Sequence, residues 1–143
     1  ADMFIQSIEK YADNPAFFDK INGKWQGKTY KEAGEIVENL ASGLASLGVQ
    51  KEDKIAILST NTSKWAYADY AITGLGAVTV TVYPTLTNPQ INYIFDDSET
   101  HYAFVENKDQ LSEVKVECVY NDNFKKWVPI KLSQDEITSI HEL

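Results

Sequence analysis

Apolar residues recur at two different spacings along the first thirty residues of the chain. A helical spacing comes first and is broken at Asn14-Pro15, which is typical of a helix end. Two strand-like runs follow, separated by Asn22-Gly23, and this pair is the strongest short-range signal of a β-hairpin. The pattern predicts a short helix and then an exposed hairpin. The apolar residues of the helix are Met3, Phe4, Ile8 and Tyr11.

A capping box opens the next predicted helix. Thr29 and Glu32 have the spacing at which a hydroxyl and a carboxylate each satisfy a free amide at a helix start. Gly48 lies where a left-handed C-cap is expected, so the helix should end just before it. One apolar stripe runs between these signals. It consists of Ala33, Ile36, Val37, Leu40, Ala41, Leu44 and Leu47.

From residue 54 onward the pattern changes repeatedly between strand and helix. The segments "KIAIL" (54–58), "AVTVTV" (77–82) and "HYAFVE" (101–106) are predicted strands, the first of them buried on both faces. Two helices lie between these strands. The first should bury Trp65, Ala68, Ala71, Ile72 and Leu75. The second starts at Asn88-Pro89 and should bury Ile91, Ile94 and Phe95. Two successive βαβ units predict an α/β fold, with a parallel sheet, helices packed on it and an N-terminal hairpin.

The last thirty residues have a different character. They predict two strands around residues 121–123, compatible with an edge hairpin on the same sheet. A second capping box at Ser133 and Glu136 then predicts a final helix.

Charge and cysteine content limit the classes of function. The chain has 143 residues and a formal charge of -8, which argues against a nucleic acid partner. The single cysteine cannot form an internal disulfide, and the N-terminus lacks the layout of a signal peptide, so we expect a reducing, cytoplasmic setting. The longest nearly uncharged run, 66–94, contains glycines and prolines that exclude a membrane span. Contact with a membrane surface stays compatible with this composition.

Three motifs could hold a ligand or a nucleophile, but each has a better structural explanation. Gly74-x-Gly76 lacks the third glycine of a dinucleotide loop and follows a helix, so close packing of the helix end on the sheet is preferred. Cys118 lies in an alternating apolar run and is interpreted as a buried structural thiol. His101 and His141 are too far apart for a helical pair of metal ligands.

Three further motifs also fail to indicate a functional site. The acidic group Asp96-Asp97 with Glu99 is interpreted as a polar helix end. Ser7 and Lys10 match only a fragment of a serine-nucleophile motif, and the sequon at 61–63 has little meaning without secretion. We therefore predict no catalytic residue, no cofactor-binding residue and no metal ligand in this chain. Any ligand of the parallel sheet should lie at its strand ends, near residues 59–61, 83–87 and 106–107.

Two long segments resemble the adenylate-forming, or acyl-CoA synthetase, family. The segment "KTYKEAGEIVENLASGLASLGVQKEDKIAIL" (28–58) is similar to the first core motif of the family, and the segment at 61–99 is similar to the second. The "VYPTLT" form at 82–87 most resembles bacterial long-chain fatty acid CoA ligases. The resemblance implies that residues 1–114 are part of the large N-terminal domain of such an enzyme. Residues 115–143 do not match the pattern and are kept apart.

The family resemblance implies a two-step reaction. A fatty acid carboxylate attacks ATP, with magnesium, to form an acyl-adenylate, and coenzyme A then displaces AMP. In such families the Gly-rich phosphate loop and a later domain lie downstream, and no stretch of this chain matches them. We therefore expect an N-terminal fragment that is inactive in isolation and binds none of these cofactors tightly.

Two kinds of partner and one rival function remain open. The rest of the same polypeptide is an expected partner, and open strand edges predict self-association. The rival is a non-enzymatic interaction module that uses the same half-sheet. A reading frame that stops at Leu143 would favour the module, whereas one that continues into a Gly-rich loop would favour the ligase. By the resemblance, the corner Tyr83-Pro84-Thr85 lies at a seam near the substrate cleft without being catalytic.

Overall fold

The computed structural model describes residues 2–107, 110, 119–121, 126–128 and 130–131, which fall into two compact units. The first unit comprises residues 1–51 and 61–77, and the second comprises residues 52–60 and 78–143. The helices are α1 (Asp2–Tyr11), α2 (Tyr30–Ser46), α3 (Ser63–Gly74) and α4 (Asn88–Asp97). The strands are β1 (Pro15–Ile21), β2 (Lys24–Thr29), β3 (Lys54–Leu58), β4 (Val78–Val82), β5 (Tyr102–Val105), β6 (Val119–Asn121), β7 (Lys126–Val128) and β8 (Ile130–Lys131).

The predicted hairpin is confirmed in the first unit. Strands β1 and β2 pair antiparallel, and the turn residues Asn22 and Gly23 have φ angles of 51° and 79°. Both values are positive, as a type I′ turn requires, which explains the choice of Asn and Gly. A small core centred on Phe4, Ala33 and Tyr67 holds α1, α2, α3 and the hairpin together.

The signals at both ends of α2 are also confirmed. The Thr29 backbone N–H donates to Glu32 Oε2 (2.8 Å), and the Glu32 N–H donates to Thr29 Oγ1 (3.2 Å). Gly48 has a φ of 88°, in the left-handed region where glycine avoids steric cost. The prediction for Leu47 is wrong, because this residue is the C-cap and is 40% exposed. Val49, whose N–H donates to the Leu44 carbonyl, is buried instead.

Helix α3 buries most, but not all, of the residues expected. Ala68, Ala71 and Ile72 are buried as predicted. Trp65 is only half-buried, and the inward aromatic residue near the start of the helix is Tyr67. Trp65 is at the third position of α3, where its backbone N–H donates to the capping Thr62 hydroxyl, and its side chain lines an open groove.

The second unit contains the predicted parallel sheet. The strand order is β4-β3-β5-β8, with β3 parallel to both β4 and β5. Helix α4 packs on this sheet through Ile91 and Phe95, with Ile94 partly buried beside them. The sheet side of this core consists of Ala56, Leu58, Val80, Val82, Ala103 and Val105. The α/β fold class predicted from the sequence is therefore confirmed.

The C-terminal strands differ from the expected edge hairpin. Strands β6 and β7 form a separate two-stranded sheet, and β8 takes the edge of the parallel sheet by pairing antiparallel with β5. Cys118, His141 and the helix predicted from Ser133 and Glu136 lie outside the described residues. The division of the chain at residue 114 stays a prediction.

Candidate functional site

The carboxyl ends of the three parallel strands lie at one edge of the sheet, which we call the carboxyl edge. The last register pairs are Leu58 with Val82 and Leu58 with Val105. The residues that follow, Ser59, Tyr83 and Glu106, therefore begin their loops at the same level. These are the positions at which the sequence placed any ligand site, because open α/β sheets bind ligands there.

A two-point contact joins the loops after β3 and β5. The Thr60 backbone N–H donates to Glu106 Oε2 (3.0 Å), and the Thr60 hydroxyl donates to Glu106 Oε1 (2.8 Å). Both carboxylate oxygens are thus engaged by one residue that lies 46 positions earlier in the chain. Hydrogen bonds to a charged acceptor are stronger than neutral ones, so this contact fixes the two loops against each other.

Two amide side chains accept hydrogen bonds from backbone N–H groups just after β5. The Glu106 N–H donates to the Leu58 carbonyl (3.2 Å) and to Gln110 Oε1 (2.8 Å). The Gln110 N–H in turn donates to Asn107 Oδ1 (3.1 Å). Glu106 is therefore held through both its backbone and its side chain, and its carboxylate serves as an acceptor for Thr60.

The hydroxyl-rich corner after β4 is mostly local in its contacts. The Leu86 N–H donates to the Tyr83 carbonyl (3.2 Å), which closes a turn. The Thr87 N–H donates to Gln90 Oε1 (2.9 Å) as one half of a capping box at the start of α4. Tyr83 itself is 72% exposed. Thr87 thus caps a helix just after the corner, and most of the Tyr83 side chain is exposed to solvent.

The first unit contains an open groove of about 760 Å³ between the hairpin and the start of α3. Its most specific polar contact is the Ser63 hydroxyl, which donates to Asp19 Oδ2 (2.5 Å). Ser63 is buried, so this bond to a carboxylate ties the start of α3 to β1. The groove is lined by Phe17, Phe18, Asp19, Lys20, Trp25, Asn61, Thr62, Ser63 and Trp65.

A buried tyrosine lies next to the Ser63 and Asp19 pair. The Tyr67 ring packs edge-on against Phe17 at a centroid distance of 5.0 Å. Its hydroxyl is buried and makes no hydrogen bond of ordinary geometry with any residue that the structure describes. Burial raises the pKa of Tyr67 above its usual value of 10.0, the nearby Asp19 and Glu32 charges add to the rise, and Ser63 opposes it.

Neither the Glu106 contact nor the groove is predicted by the local patterns of the sequence. Glu106 directly follows a predicted strand, and Thr60 follows the neighbouring one, so their closeness could have been inferred from the parallel order. The groove has a weaker signal in the sequence, because residues 61–63 match only a sequon and the spacing of Trp65 predicts a core position. Neither pattern reveals that Asp19 of the hairpin meets Ser63.

Two of the rejected motifs have clear structural explanations. Gly76 has a φ of 73°, so a conformational need explains this glycine, whereas a Cβ added at Gly74 would meet only open space. The expected close packing at this pair is therefore wrong for Gly74. The Ser7 hydroxyl donates to the carbonyl of Met3 (2.8 Å), as expected of a residue inside a helix.

Glu99 and His101 are both surface residues. Glu99 forms an exposed ion pair with Lys54 (3.9 Å) at the end of α4, and His101 is exposed just before β5. Within the described part of the chain, no group of three or more potential ligands could hold a metal ion. The same residues include no helix that is both long and apolar enough to cross a bilayer.

Several proteins are similar to this chain in sequence. Long chain acyl-CoA synthetase 4 of Arabidopsis thaliana is 33% identical over 132 residues, which cover 89% of this chain and 20% of that protein. Long-chain-fatty-acid--CoA ligase FadD15 of Mycobacterium bovis is 41% identical over 86 residues, or 60% of this chain and 14% of that protein. The chain thus spans about a fifth or less of the length of these relatives.

Solved structures share the fold. O-succinylbenzoate Coenzyme A Synthetase (MenE) of Bacillus subtilis matches with a TM-score of 0.70 and 23% identity, over 77% of this chain and 28% of that one. The N-terminal subdomain of NpsA from Klebsiella oxytoca gives a TM-score of 0.68 and 23% identity, over 79% of this chain and 27% of that one. The sequence profile described as "AMP-binding enzyme" matches residues 4–139. The chain therefore belongs to the AMP-binding enzyme family.

Proposed function

We propose that this chain is the N-terminal part of an ATP-dependent long-chain fatty acid CoA ligase. The enzyme would form an acyl-adenylate from a fatty acid and ATP, and then a thioester with coenzyme A. The observation that carries the proposal is the similarity along nearly the whole chain to a long chain acyl-CoA synthetase. FadD15, a second relative, carries the same activity in its name.

The described residues favour a supporting role for this part of the enzyme. Glu106, the carboxylate held at the carboxyl edge, is occupied by two bonds from Thr60. The Gly74 and Gly76 pair forms the end of α3 and a turn, and does not form a phosphate loop after a strand. We infer that the chain shapes one edge of the substrate cleft, while most groups that bind ATP, magnesium and coenzyme A belong to other segments of the polypeptide.

The same reasoning predicts that the 143-residue chain is inactive alone. Phosphoryl charge must be neutralised by basic groups, metal ions or oriented amides in such a reaction. The acidic balance of this chain offers few of them. The proposed role is therefore structural, and the activity is a property of the whole polypeptide.

The substrate class is tested on the natural polypeptide that contains this chain. Thioester formation with ATP, magnesium and coenzyme A is measured with palmitate, with acetate and with benzoate as the acid. The proposal predicts that palmitate is the preferred acid, by kcat/KM. A preference for acetate or benzoate would retain the family and refute the long-chain assignment. Absence of thioester with all three acids would favour the interaction module.

A further inference from the structure

The hairpin of β1 and β2 exposes three large apolar side chains. Trp25 is 69% exposed, Phe18 is 58% exposed and Ile21 is 46% exposed. The three residues lie within eight positions of one another on a single two-stranded element. Exposed apolar residues that are grouped together mark interaction surfaces more often than singly scattered ones do.

The two exposed aromatic residues lie on the same face of the hairpin. Phe18 is paired with Gly27, and Trp25 is paired with Lys20, two positions further along each strand. Since side chains alternate between faces, residues two apart on a strand share a face. The Phe18 ring lies over Gly27, where an added Cβ would come within 2.9 Å of it. The face therefore carries two rings and one ammonium group, with a glycine that lets one ring lie close to the strand.

The hairpin is also locally basic in an acidic chain. Residues 15–29 contain three lysines and one aspartate, whereas the rest of the chain contains ten lysines and twenty acidic residues. The single aspartate, Asp19, accepts the bond from buried Ser63. Lys20 and Lys24 make no ion pair with a described residue, while Lys28 lies close enough to lower the pKa of Glu32. Lys20 thus lies on the face of the two exposed rings, and Lys24 lies on the other face of the same hairpin, near the turn.

We propose that the β1-β2 hairpin docks on an anionic lipid bilayer surface. Tryptophan and phenylalanine favour the boundary between headgroups and acyl chains, and each lysine near an anionic surface adds attraction. The rest of the chain has a net negative charge and is repelled by the same surface, so the local charge favours approach of the hairpin to the lipid. The inference does not depend on the proposed ligase activity, because it rests on the hairpin alone.

The test is co-sedimentation of the natural polypeptide with vesicles of phosphatidylcholine, with and without phosphatidylserine. Lys20→Gln combined with Lys24→Gln removes two charges and should lower binding to the anionic vesicles about 30-fold. Trp25→Ala should lower it at least about 10-fold, whereas Trp25→Phe, which keeps an aromatic ring, should retain most of it. Lys31→Gln and Tyr93→Ala are matched controls, since both residues are exposed and lie outside the hairpin.

Two sets of results would overturn the proposal. The first is that the unmodified protein fails to bind the anionic vesicles, or binds neutral and anionic vesicles equally. The second is that the hairpin variants bind as well as the two controls. Circular dichroism and thermal unfolding of each variant establish that it is folded. Carbene footprinting of the vesicle-free protein adds an independent test: if Trp25 is protected, protein already covers the face and the lipid assignment is wrong.

Discussion

The contact between Thr60 and Glu106 gives the most specific prediction about the carboxyl edge. Glu106→Ala removes both acceptor oxygens, which lie 3.0 and 2.8 Å from the two Thr60 donors. Thr60→Val removes the hydroxyl and leaves the backbone N–H in place. Combining the two substitutions in a double-mutant cycle isolates the energy of the hydroxyl contact from the other effects of each change.

The geometry sets the expected magnitudes. A hydrogen bond to a charged group contributes about 1.5–3 kcal/mol, and Thr60 is exposed to water, so we expect less than this range, about 1 kcal/mol for each of the two bonds. We expect Glu106→Ala to lower the free energy of unfolding by about 2 kcal/mol and Thr60→Val by about 1 kcal/mol. The double variant should lose about 2 kcal/mol, because the hydroxyl has no carboxylate to bind once Glu106 is gone, which gives a coupling of about 1 kcal/mol.

Urea unfolding followed by far-ultraviolet circular dichroism measures all four proteins of the cycle. Glu38→Ala is the matched control, since Glu38 is an exposed carboxylate on α2 and its loss should change stability by less than about 0.5 kcal/mol. Strictly additive losses in the cycle would refute the contact. A Glu106→Ala effect as small as that of Glu38→Ala would refute the argument that this carboxylate holds the two loops together.

Three further predictions concern the cores and the titrating groups. Phe95 packs against the sheet and is only 4% exposed, so Phe95→Ala should lower the free energy of unfolding in urea by about 3–5 kcal/mol. A loss below about 1 kcal/mol would contradict the packing of α4. The Thr29 N–H lowers the pKa of Glu32, so the ionised Glu32 stabilises the fold above the unfolded pKa of about 4.5, and this stabilisation is lost as the pH falls through the folded value. Glu32→Gln should therefore reduce the loss of stability at acid pH. An unchanged acid dependence would contradict the capping box. Because the pKa of Tyr67 is raised in the folded state, stability is full below pH 10.0 and declines above it. Tyr67→Phe should remove this alkaline loss, and at pH 7 it should be neutral or stabilising by up to about 1 kcal/mol. A loss of more than about 1 kcal/mol at pH 7 would show that the hydroxyl has a hydrogen-bond partner.

Local signals in the sequence accounted for most of the elements. The Asn22-Gly23 turn, the Thr29 and Glu32 box and the left-handed Gly48 each depend on the chemistry of a few adjacent residues. The parallel sheet was also predictable, because long connections between apolar strands leave few other topologies. Errors arose where position within an element decides burial: Leu47 continues the apolar stripe but lies just past the last turn of its helix.

The candidate sites were harder to predict because they depend on contacts between distant residues. Glu106 and Thr60 are 46 positions apart, and Ser63 and Asp19 are 44 positions apart. Periodicity assigns each of these residues to a strand end or a helix start, but it does not say which side chains meet. The same limit explains Trp65, whose spacing fits the buried face of α3 although its side chain lines the groove.

We propose that this chain supplies part of a long-chain fatty acid CoA ligase whose catalytic groups lie elsewhere in the polypeptide. The decisive experiment measures pyrophosphate release with ATP, magnesium and palmitate, both by the 143-residue chain and by the natural polypeptide that contains it. We expect palmitate-dependent release by the natural polypeptide and none by the chain alone. Release by the chain alone would contradict the placement of the catalytic groups, and release by neither would contradict the ligase assignment.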